Sequence, residues 1–269
     1  MAGIETLRKW RRDLHEIPEC DFDLPQTIAY VREQLEPMAA RCECMSVFSP
    51  ARSTVCAYFD RGSSAATALR SDMDALPVRE ETGAPYASRH DGRMHACGHD
   101  GHMTMALGAC DWMADHPDRL ARSVLVVFQP AEETTGGARQ VCESGVFGRL
   151  GIDRIFGFHL WPDLPSACVA TRSGALLAAS NETTVEFKGR ASHIAKSRQG
   201  RDALLAACMF VPEAYRFMEE RSQEESCLLK FGHMAAGEVR NQIAASARVE
   251  GSLRTFSVEM GRRCRDELP

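Results

Sequence analysis

Residues 123–133 read SVLVVFQPAEE, in which the continuous apolar run SVLVVF is followed by glutamine, proline, alanine and two adjacent glutamates. Such a run suits a strand that is covered on both faces, as in a sheet with helices on each side. Ligands of α/β sheets bind beyond the carboxyl ends of the strands, so Glu132 and Glu133 are well placed for chemistry. One carboxylate can bind a metal while the other handles protons. An isolated Glu-Glu pair, in contrast, is usually a solvated surface feature.

Further elements are expected on both sides of this run. The apolar pattern predicts strands at residues 54–59 and 66–70 and a helix at residues 104–113. It predicts another buried strand at residues 153–160 (DRIFGFHL). Over the first 35 residues, apolar side chains recur at the spacing of a helix, with one break in the pattern. Strands that alternate with helices predict a layered α/β domain over residues 1–174.

The pattern changes near Ser173 and Gly174. Residues 182–187 (ETTVEF) alternate polar and apolar side chains, as a strand with one wet face does. The elements expected after them are a helix at 202–220, strands near 227–231 and 247–255, and a helix from about Val258. This order predicts a smaller α+β domain on an antiparallel sheet, covering residues 175–269 and lacking a final strand.

The composition narrows the classes of protein. Hydrophobic residues make up 44% and charged residues 26%, and the formal net charge is -5, so no nucleic-acid surface is expected. The amino terminus has no apolar segment typical of a signal peptide, and no apolar run reaches the ~20 residues that a membrane span needs. The eleven cysteines are odd in number and irregularly spaced. We therefore expect a cytoplasmic protein without a disulfide framework or a membrane partner.

The densest group of metal-binding residue types is the segment 94–102, MHACGHDGH. Thiolate, imidazole and carboxylate are the side chains that bind borderline cations, so the segment is a strong signal of a metal site. Cys97 and His99 are separated by one glycine, and a bent backbone there could aim both side chains at one place. The alternative is a polar loop with incidental histidines.

Two further segments follow predicted strands. His159 closes the segment 153–160, where a lone histidine is more often structural than a ligand. Asp72 and Asp74 lie in SDMDALP, and such aspartates can orient a ligating histidine or cap a turn. Taken jointly, four strand ends would deliver aspartate, cysteine with histidine, two glutamates and histidine. That set supplies ligands for two divalent cations that share a bridging group and a water.

The segments RRDLHEIPE, LRSDMDALP, HACGHDGH, QPAEE, FGFHLWP and GRASH occur in this order between about Leu7 and Phe256. Together they resemble the aminoacylase/carboxypeptidase family of co-catalytic metallopeptidases. The resemblance is closest to its amidohydrolase branch, which contains hippurate hydrolases, indole-acetyl-amino-acid hydrolases and N-acetyl-diaminopimelate deacetylases. It implies a three-layer α/β/α domain with a mostly parallel sheet, and a smaller ferredoxin-like α+β domain that acts as a lid and mediates a homodimer.

The resemblance also implies roles for single residues. Cys97 would bridge two divalent metal ions (manganese or zinc, also cobalt), with His99, Glu133 and His159 as further ligands. Glu132 would be the general base and Asp74 the acid that orients a ligand.

In the smaller domain, the resemblance implies that His193 reaches a neighbouring subunit's site and stabilises the oxyanion. Asn241 and Arg254 would hold the substrate, and the alternative for Arg254 is an exposed strand residue. Family members continue beyond the lid and supply one more metal-binding histidine. We therefore expect this chain to be a carboxy-terminally truncated member.

Three hypotheses follow. The first is an amidohydrolase that cleaves a small N-acyl amino acid with a water activated by Glu132. The second is a truncated, inactive remnant that binds metal or dimerises without turnover. The third is a hydrolase with Cys97 as the nucleophile, which would leave the paired glutamates and His159 without a role.

Overall fold

The computed structural model describes residues 2–134 and 136–268, and the chain divides into two compact units, Met1–Pro165 and Ser166–Pro269. None of the helices in the described part of the chain is long and apolar enough to cross a membrane. All eleven cysteines are free thiols.

The first unit is built from five α-helices, one short 3-10 helix (Pro117–Arg119) and five strands among its described residues. The helices are α1 (Ile4–His15), α2 (Pro25–Arg41), α3 (His99–Asp115), α4 (Gly137–Glu143) and α5 (Val146–Arg149). The strands are β1 (Met45–Phe48), β2 (Val55–Phe59), β3 (Ala66–Asp72), β4 (Ser123–Gln129) and β5 (Ile152–Gly157).

The five strands form one mixed sheet in the order β1-β2-β4-β3-β5. Strands β3 and β4 are parallel, as are β3 and β5, whereas β1 is antiparallel to β2 and β2 is antiparallel to β4. The expectation of a mostly parallel sheet was therefore wrong. Parallel neighbours need a long crossover connection, but β1 and β2 are joined by a short loop that suits antiparallel pairing. The parallel part of the sheet, β4-β3-β5, is the part that carries the candidate site.

Strand β4 is buried along both of its faces. Val126 and Phe128 belong to the core cluster that includes buried side chains of α1, α2 and α3. Leu125 and Val127 belong to a second cluster with Val141 of α4 and neighbours in α5. Successive side chains of a strand point to opposite faces, so helices cover the sheet on both sides of β4. The apolar run at 123–128 is explained by this double burial.

Strand β5 differs from the buried strand expected at residues 153–160. It is an edge strand that pairs with β3 alone, and Ile155 and Phe156 are 52% and 57% exposed. An apolar run predicts burial only where another layer covers the strand. The strand also ends at Gly157, so His159 lies in the coil beyond it.

The break in the amino-terminal helical pattern is the segment between α1 and α2, and the buried carboxylate of Glu19 in this segment caps the start of α2. Glu19 is 3% exposed and accepts hydrogen bonds from the backbone N–H of Thr27 (2.9 Å) and from its hydroxyl (3.0 Å). Pro25 occupies the first turn of α2, where no backbone N–H is needed. Glu19 therefore satisfies donors that the first turn of α2 leaves unpaired.

The second unit contains strands β6 (Ala179–Lys188), β7 (Cys227–Ala236) and β8 (Ser246–Thr255), with helices α6 (Ala203–Ser222) and α7 (Val258–Glu267). The strands form an antiparallel sheet in the order β6-β8-β7. Asp202 and Ser257 cap α6 and α7 by accepting bonds from backbone N–H groups at 3.0 Å. These elements follow one another in the predicted order.

Candidate metal centre

Three parallel strands and one helix start bring the candidate residues of the first unit together. Asp74 follows β3, Glu132 and Glu133 follow β4, and His159 follows β5. Because the carboxyl ends of parallel strands lie at one edge of the sheet, these side chains converge there. The sequence suggested a strand end for the fourth contributor, but it is the start of a helix. Cys97 immediately precedes Gly98, the cap of α3, and His99 is the first residue of that helix. Gly98 has a φ of +88°, a left-handed conformation that glycine adopts readily.

His99 lies at the centre of this group and is completely buried. Its Nδ1 is 2.7 Å from the backbone oxygen of Asp74, and an N–H donating there leaves the lone pair on Nε2. His99 Nε2 has no hydrogen-bond partner and lies 3.7 Å from Glu133 Oε1, a second buried atom without a partner. Buried polar atoms are normally paired, so two such orphans side by side fit a cation that would bind both.

Cys97 and His159 add a sulfur and a second imidazole to the group. Cys97 Sγ lies 3.3 Å from His159 Nε2. Burial and the neighbouring Glu133 carboxylate raise the pKa of the Cys97 thiol to about 12. A thiol in that environment is a poor nucleophile, because the reactive form is the thiolate. The raised pKa of the thiol is thus an argument against Cys97 as a nucleophile, whereas a bound cation would stabilise its thiolate.

The Asp74 carboxylate holds the backbone of the two glutamates. It is fully buried, and its Oδ1 and Oδ2 accept hydrogen bonds from the N–H groups of Glu132 (2.9 Å) and Glu133 (3.0 Å). The chain turns sharply just before them, since Ala131 has a positive φ of 50°. The contact to His99 that hydrogen-bond geometry supports comes from the Asp74 backbone oxygen, not from its carboxylate.

Glu132 is more exposed than Glu133. Burial of the carboxyl group and the negative charge of Glu133 raise the pKa of Glu132 above its usual 4.5. A raised pKa increases the affinity of a carboxylate for a proton, which is what a general base needs.

Asp72 and His102 also lie at the centre. Asp72 is one of the two aspartates expected to orient a histidine or cap a turn, and His102 lies in the predicted metal-binding segment 94–102 without a role of its own. His102 is fully buried, and its Nδ1 is 2.7 Å from Asp72 Oδ1. Burial raises the pKa of Asp72, but the hydrogen bond with His102 and the charges of His99 and Arg70 outweigh it and bring the pKa to about 2. The signal in the sequence is the spacing of His99 and His102, which places them on one face of a helix.

Three overlapping groups of residues have candidate ligand atoms within 4.8 Å of one another. They are Cys97 with His99 and His159, Asp72 with His99 and His102, and His99 with Glu132 and Glu133. His99 is common to all three. Sulfur, imidazole and carboxylate donors together suit zinc, manganese or cobalt, and the ligand types alone do not choose among them.

A cavity of about 490 Å³ within the first unit opens beside this cluster. Cys97 and His159 line it, together with the aromatic side chains of Tyr86 and Trp161. His95, which is 3% exposed and has no hydrogen-bond partner at either ring nitrogen, lines it as well. The volume falls in the range of about 300–1,000 Å³ that is typical of small-molecule sites.

A buried ion network connects α1 to the start of α3. His15 Nδ1 is 2.7 Å from Asp100 Oδ2, and Arg11 Nε is 2.8 Å from the same oxygen. The hydrogen bond with Asp100 is the largest influence on His15 and raises its pKa above 6.5, against the lowering effect of burial. Asp100 is adjacent to His99, so this network fixes the helix start that carries a candidate ligand.

We expect the His15→Gln variant to lose more stability in mild acid than in alkali. A raised folded-state pKa means that the folded protein binds the proton more tightly, so the stabilisation is full below pH 6.5 and disappears as the pH rises through the folded pKa. The measurement is urea unfolding of both proteins, with a chelator present, from about pH 5.5 to about pH 9.

The control for this prediction is His116→Gln, because His116 Nδ1 bonds to the backbone oxygen of Trp112 and not to a carboxylate. A difference in unfolding free energy between His15→Gln and the unaltered protein that does not change with pH would contradict the assignment.

The other three candidate residues lie in the second unit and are exposed. His193 and Asn241 are close together, since Ile194 N donates to Asn241 O (3.0 Å) and His193 forms a bridge with Gln242. Arg254 lies near the far end of β8, about eight residues or roughly 26 Å beyond its start. The roles of these three residues stay predictions.

Known proteins similar to this chain point to one family. Residues 68–260 match the sequence model of peptidase family M20/M25/M40. An N-acetyldiaminopimelate deacetylase of Geobacillus sp. (strain WCH70) is 34% identical over 274 residues, covering 100% of this chain and 70% of that relative. A relative of the same name from Oceanobacillus iheyensis is 38% identical over 256 residues, covering 94% and 67%.

A solved structure agrees with these matches. The Bacillus subtilis YXEP protein, described as a dinuclear metal-binding peptidase of the M20 family, is 31% identical with a TM-score of 0.80, covering 97% of this chain and 67% of that chain. The matches confirm the predicted family and the predicted class of enzyme, a metal-dependent amidohydrolase. This chain therefore belongs to peptidase family M20/M25/M40.

Proposed function

We propose that this chain hydrolyses the amide bond of N-acyl amino acids with a water that Glu132 activates. The observation that supports the proposal most is the pair of buried, unpartnered atoms His99 Nε2 and Glu133 Oε1, next to Cys97 and His159. In this proposal Cys97, His99, Glu133 and His159 would hold two divalent cations. The cations are manganese or zinc, with cobalt as a substitute.

When bound, the two cations would polarise the carbonyl group of the substrate and lower the pKa of the attacking water. Glu132 accepts the proton of that water and later donates it to the nitrogen of the leaving amine. Its raised pKa suits both transfers, because it holds the proton between them more firmly than an ordinary carboxylate. Asp74 fixes the turn that carries Glu132 and Glu133 by accepting hydrogen bonds from their backbone N–H groups.

The substrate proposal begins from the relatives that bear the name N-acetyldiaminopimelate deacetylase. N-acetyl amino acids are therefore the first compounds to test. The cavity beside Cys97 and His159 has apolar walls at Tyr86 and Trp161 and offers space for one side of the scissile amide. Larger acyl groups, such as benzoyl and indole-acetyl, belong in the same comparison.

We further propose that residues 1–174 form a three-layer α/β/α metal-binding domain and residues 175–269 a ferredoxin-like lid of a cytoplasmic homodimer. The antiparallel sheet β6-β8-β7 and its two helices support the lid proposal. In the dimer, His193 would stabilise the oxyanion in the partner's site. Asn241 and Arg254 would hold the carboxylate or the reacting carbonyl of the substrate.

The test is an assay of metal-depleted protein before and after addition of Mn²⁺, Zn²⁺ or Co²⁺. We expect no hydrolysis of N-acetyl, N-benzoyl or indole-acetyl amino acids without metal, and hydrolysis of at least one class with it, because the water needs a cation to become a nucleophile at neutral pH. Metal analysis should find two ions per chain at full activity.

Two outcomes would contradict this proposal in different ways. Tight metal binding without turnover of any acyl class would favour a remnant that binds metal only. Activity that survives exhaustive chelation would restore the hypothesis of a cysteine nucleophile.

A further inference from the structure

Two histidines hold the backbone of Leu160, one at its N–H and one at its carbonyl oxygen. Its N–H donates a hydrogen bond to His102 Nε2 at 2.9 Å, and its carbonyl oxygen lies 2.6 Å from His159 Nδ1. Leu160 can approach α3 this closely because Gly101 has no side chain: a Cβ there would lie 2.5 Å from Leu160 Cδ1. The coil that carries His159 is thus seated directly on the first turn of α3.

The hydrogen bonds fix which nitrogen of His102 carries the proton. A ring nitrogen that accepts from a backbone N–H must hold its lone pair there, so the proton is on Nδ1. That proton points at Asp72 Oδ1 (2.7 Å), while Asp72 Oδ2 accepts from Arg70 Nη1 (2.7 Å). His102 therefore has both ring nitrogens occupied within the protein.

This occupancy decides between two readings of the group Asp72, His99 and His102. Their candidate ligand atoms are close enough to hold a cation. A ligating imidazole must, however, offer a free lone pair, and the only lone pair of neutral His102 is engaged by the N–H of Leu160. Coordination by His102 would therefore require the N–H of Leu160 to lose this hydrogen-bond partner.

The same hydrogen bonds set the tautomer of His159, that is, which of its ring nitrogens carries the proton. An N–H at its Nδ1 that donates to the carbonyl oxygen of Leu160 leaves the Nε2 lone pair, 3.3 Å from Cys97 Sγ. The His102 and His159 rings also contact edge to face, with centroids 4.7 Å apart. His159 is itself exposed and lies beyond the end of β5, so its orientation depends on such contacts.

We propose that His102 is a positioning residue, not a ligand: held by Asp72, it fixes the backbone of Leu160 and, through the carbonyl oxygen of that residue, the tautomer and orientation of His159. The inference rests on the proposed function only in taking His159 as a metal ligand. Partners of this kind, behind the ligands, typically contribute about 10–100-fold to metal affinity.

The test is a double-mutant cycle on metal binding by the full chain. Cobalt affinity and stoichiometry are measured by titration for the unaltered protein, His102→Leu, His159→Ala and the double variant, with the thiolate-to-cobalt absorption of Cys97 as a spectroscopic readout. We expect His102→Leu to weaken binding by about 10–100-fold, and to have no further effect once His159 is alanine. His102→Gln, whose amide keeps a donor and an acceptor, should restore most of the affinity.

Equal effects of His102→Leu in both backgrounds would overturn the proposal, as would loss of one cation per chain in His102→Gln. An unchanged affinity in His102→Leu would overturn it too.

If His102→Leu does not fold, nitrogen NMR of the unaltered protein decides: addition of Zn²⁺ should shift the Nε2 signal of His159 and leave the lone-pair character of His102 Nε2 unchanged. A direct zinc shift at His102 Nε2 would make it a ligand. None of these readouts needs turnover, so an inactive protein would refute the proposed function alone.

Discussion

Replacing Glu132 by glutamine should lower kcat for N-acyl amino acids by about 10²–10⁴-fold, the range that a positioned general base contributes. Glutamine has nearly the same shape and keeps the backbone N–H that donates to Asp74 (2.9 Å), so the turn is preserved. The amide cannot accept the proton of the attacking water. The measurement is steady-state kinetics on metal-loaded protein, together with metal analysis of the same samples.

The metal content of Glu132→Gln should stay the same, because Glu133 is the carboxylate whose buried oxygen faces His99. Glu133→Gln is the matched comparison, since it alters the neighbouring residue by the same change and should lose metal first and activity in consequence. A Glu132→Gln protein with full activity would contradict the base assignment. Loss of metal in Glu132→Gln but not in Glu133→Gln would mean that the two roles are exchanged.

The sequence was sufficient for those parts of the site that depend on local pattern. The segment around Cys97 and His99 was identified from residue types alone, and the apolar run 123–128 located Glu132 and Glu133 at the end of a strand. Both inferences need only the chemistry of side chains and the geometry of parallel sheets. The structure brings these residues together with His159.

Roles that depend on contacts between distant segments could not be predicted in this way. Asp74 contacts the N–H groups of residues 58 and 59 positions away, and a carboxylate bound to backbone N–H groups leaves no signature in the residue types of either segment. His102 follows His99 by three residues, a spacing that a second metal ligand on the same helix face would also have. Only the hydrogen bond from the Leu160 N–H shows that the lone pair of His102 Nε2 is already engaged.

The errors in the fold have a related cause. The pattern of β5 is apolar, yet Ile155 and Phe156 are exposed, because hydrophobicity indicates a preference for burial and not the presence of a covering layer. The mixed sheet arises from β1 and β2. Strand direction is set by how the chain returns to the sheet, which the short apolar segments themselves do not encode.

Replacing His99 by alanine should abolish activity and remove metal more completely than any other single substitution at the centre. His99 is the residue common to all three groups of candidate ligands, and its unpartnered Nε2 is completely buried. Loss of an outer partner typically costs about 10–100-fold in metal affinity, and loss of this shared ligand should exceed that. The measurements are cobalt or zinc titration and hydrolysis of the best N-acyl substrate under saturating metal.

The substitution also removes a buried ring that bonds to the Asp74 backbone (2.7 Å), so folding must be checked by circular dichroism and urea unfolding. His99→Gln serves as the conservative variant, because its amide can still donate to that oxygen while offering a weaker ligand. His233→Ala is the matched control: its ring is largely exposed in the second unit, where it pairs with Glu250, and its loss should leave metal content unchanged. Folded His99→Ala protein that retains two tightly bound cations would contradict a centre built around this histidine, since the remaining sulfur, carboxylates and His159 would then suffice without it.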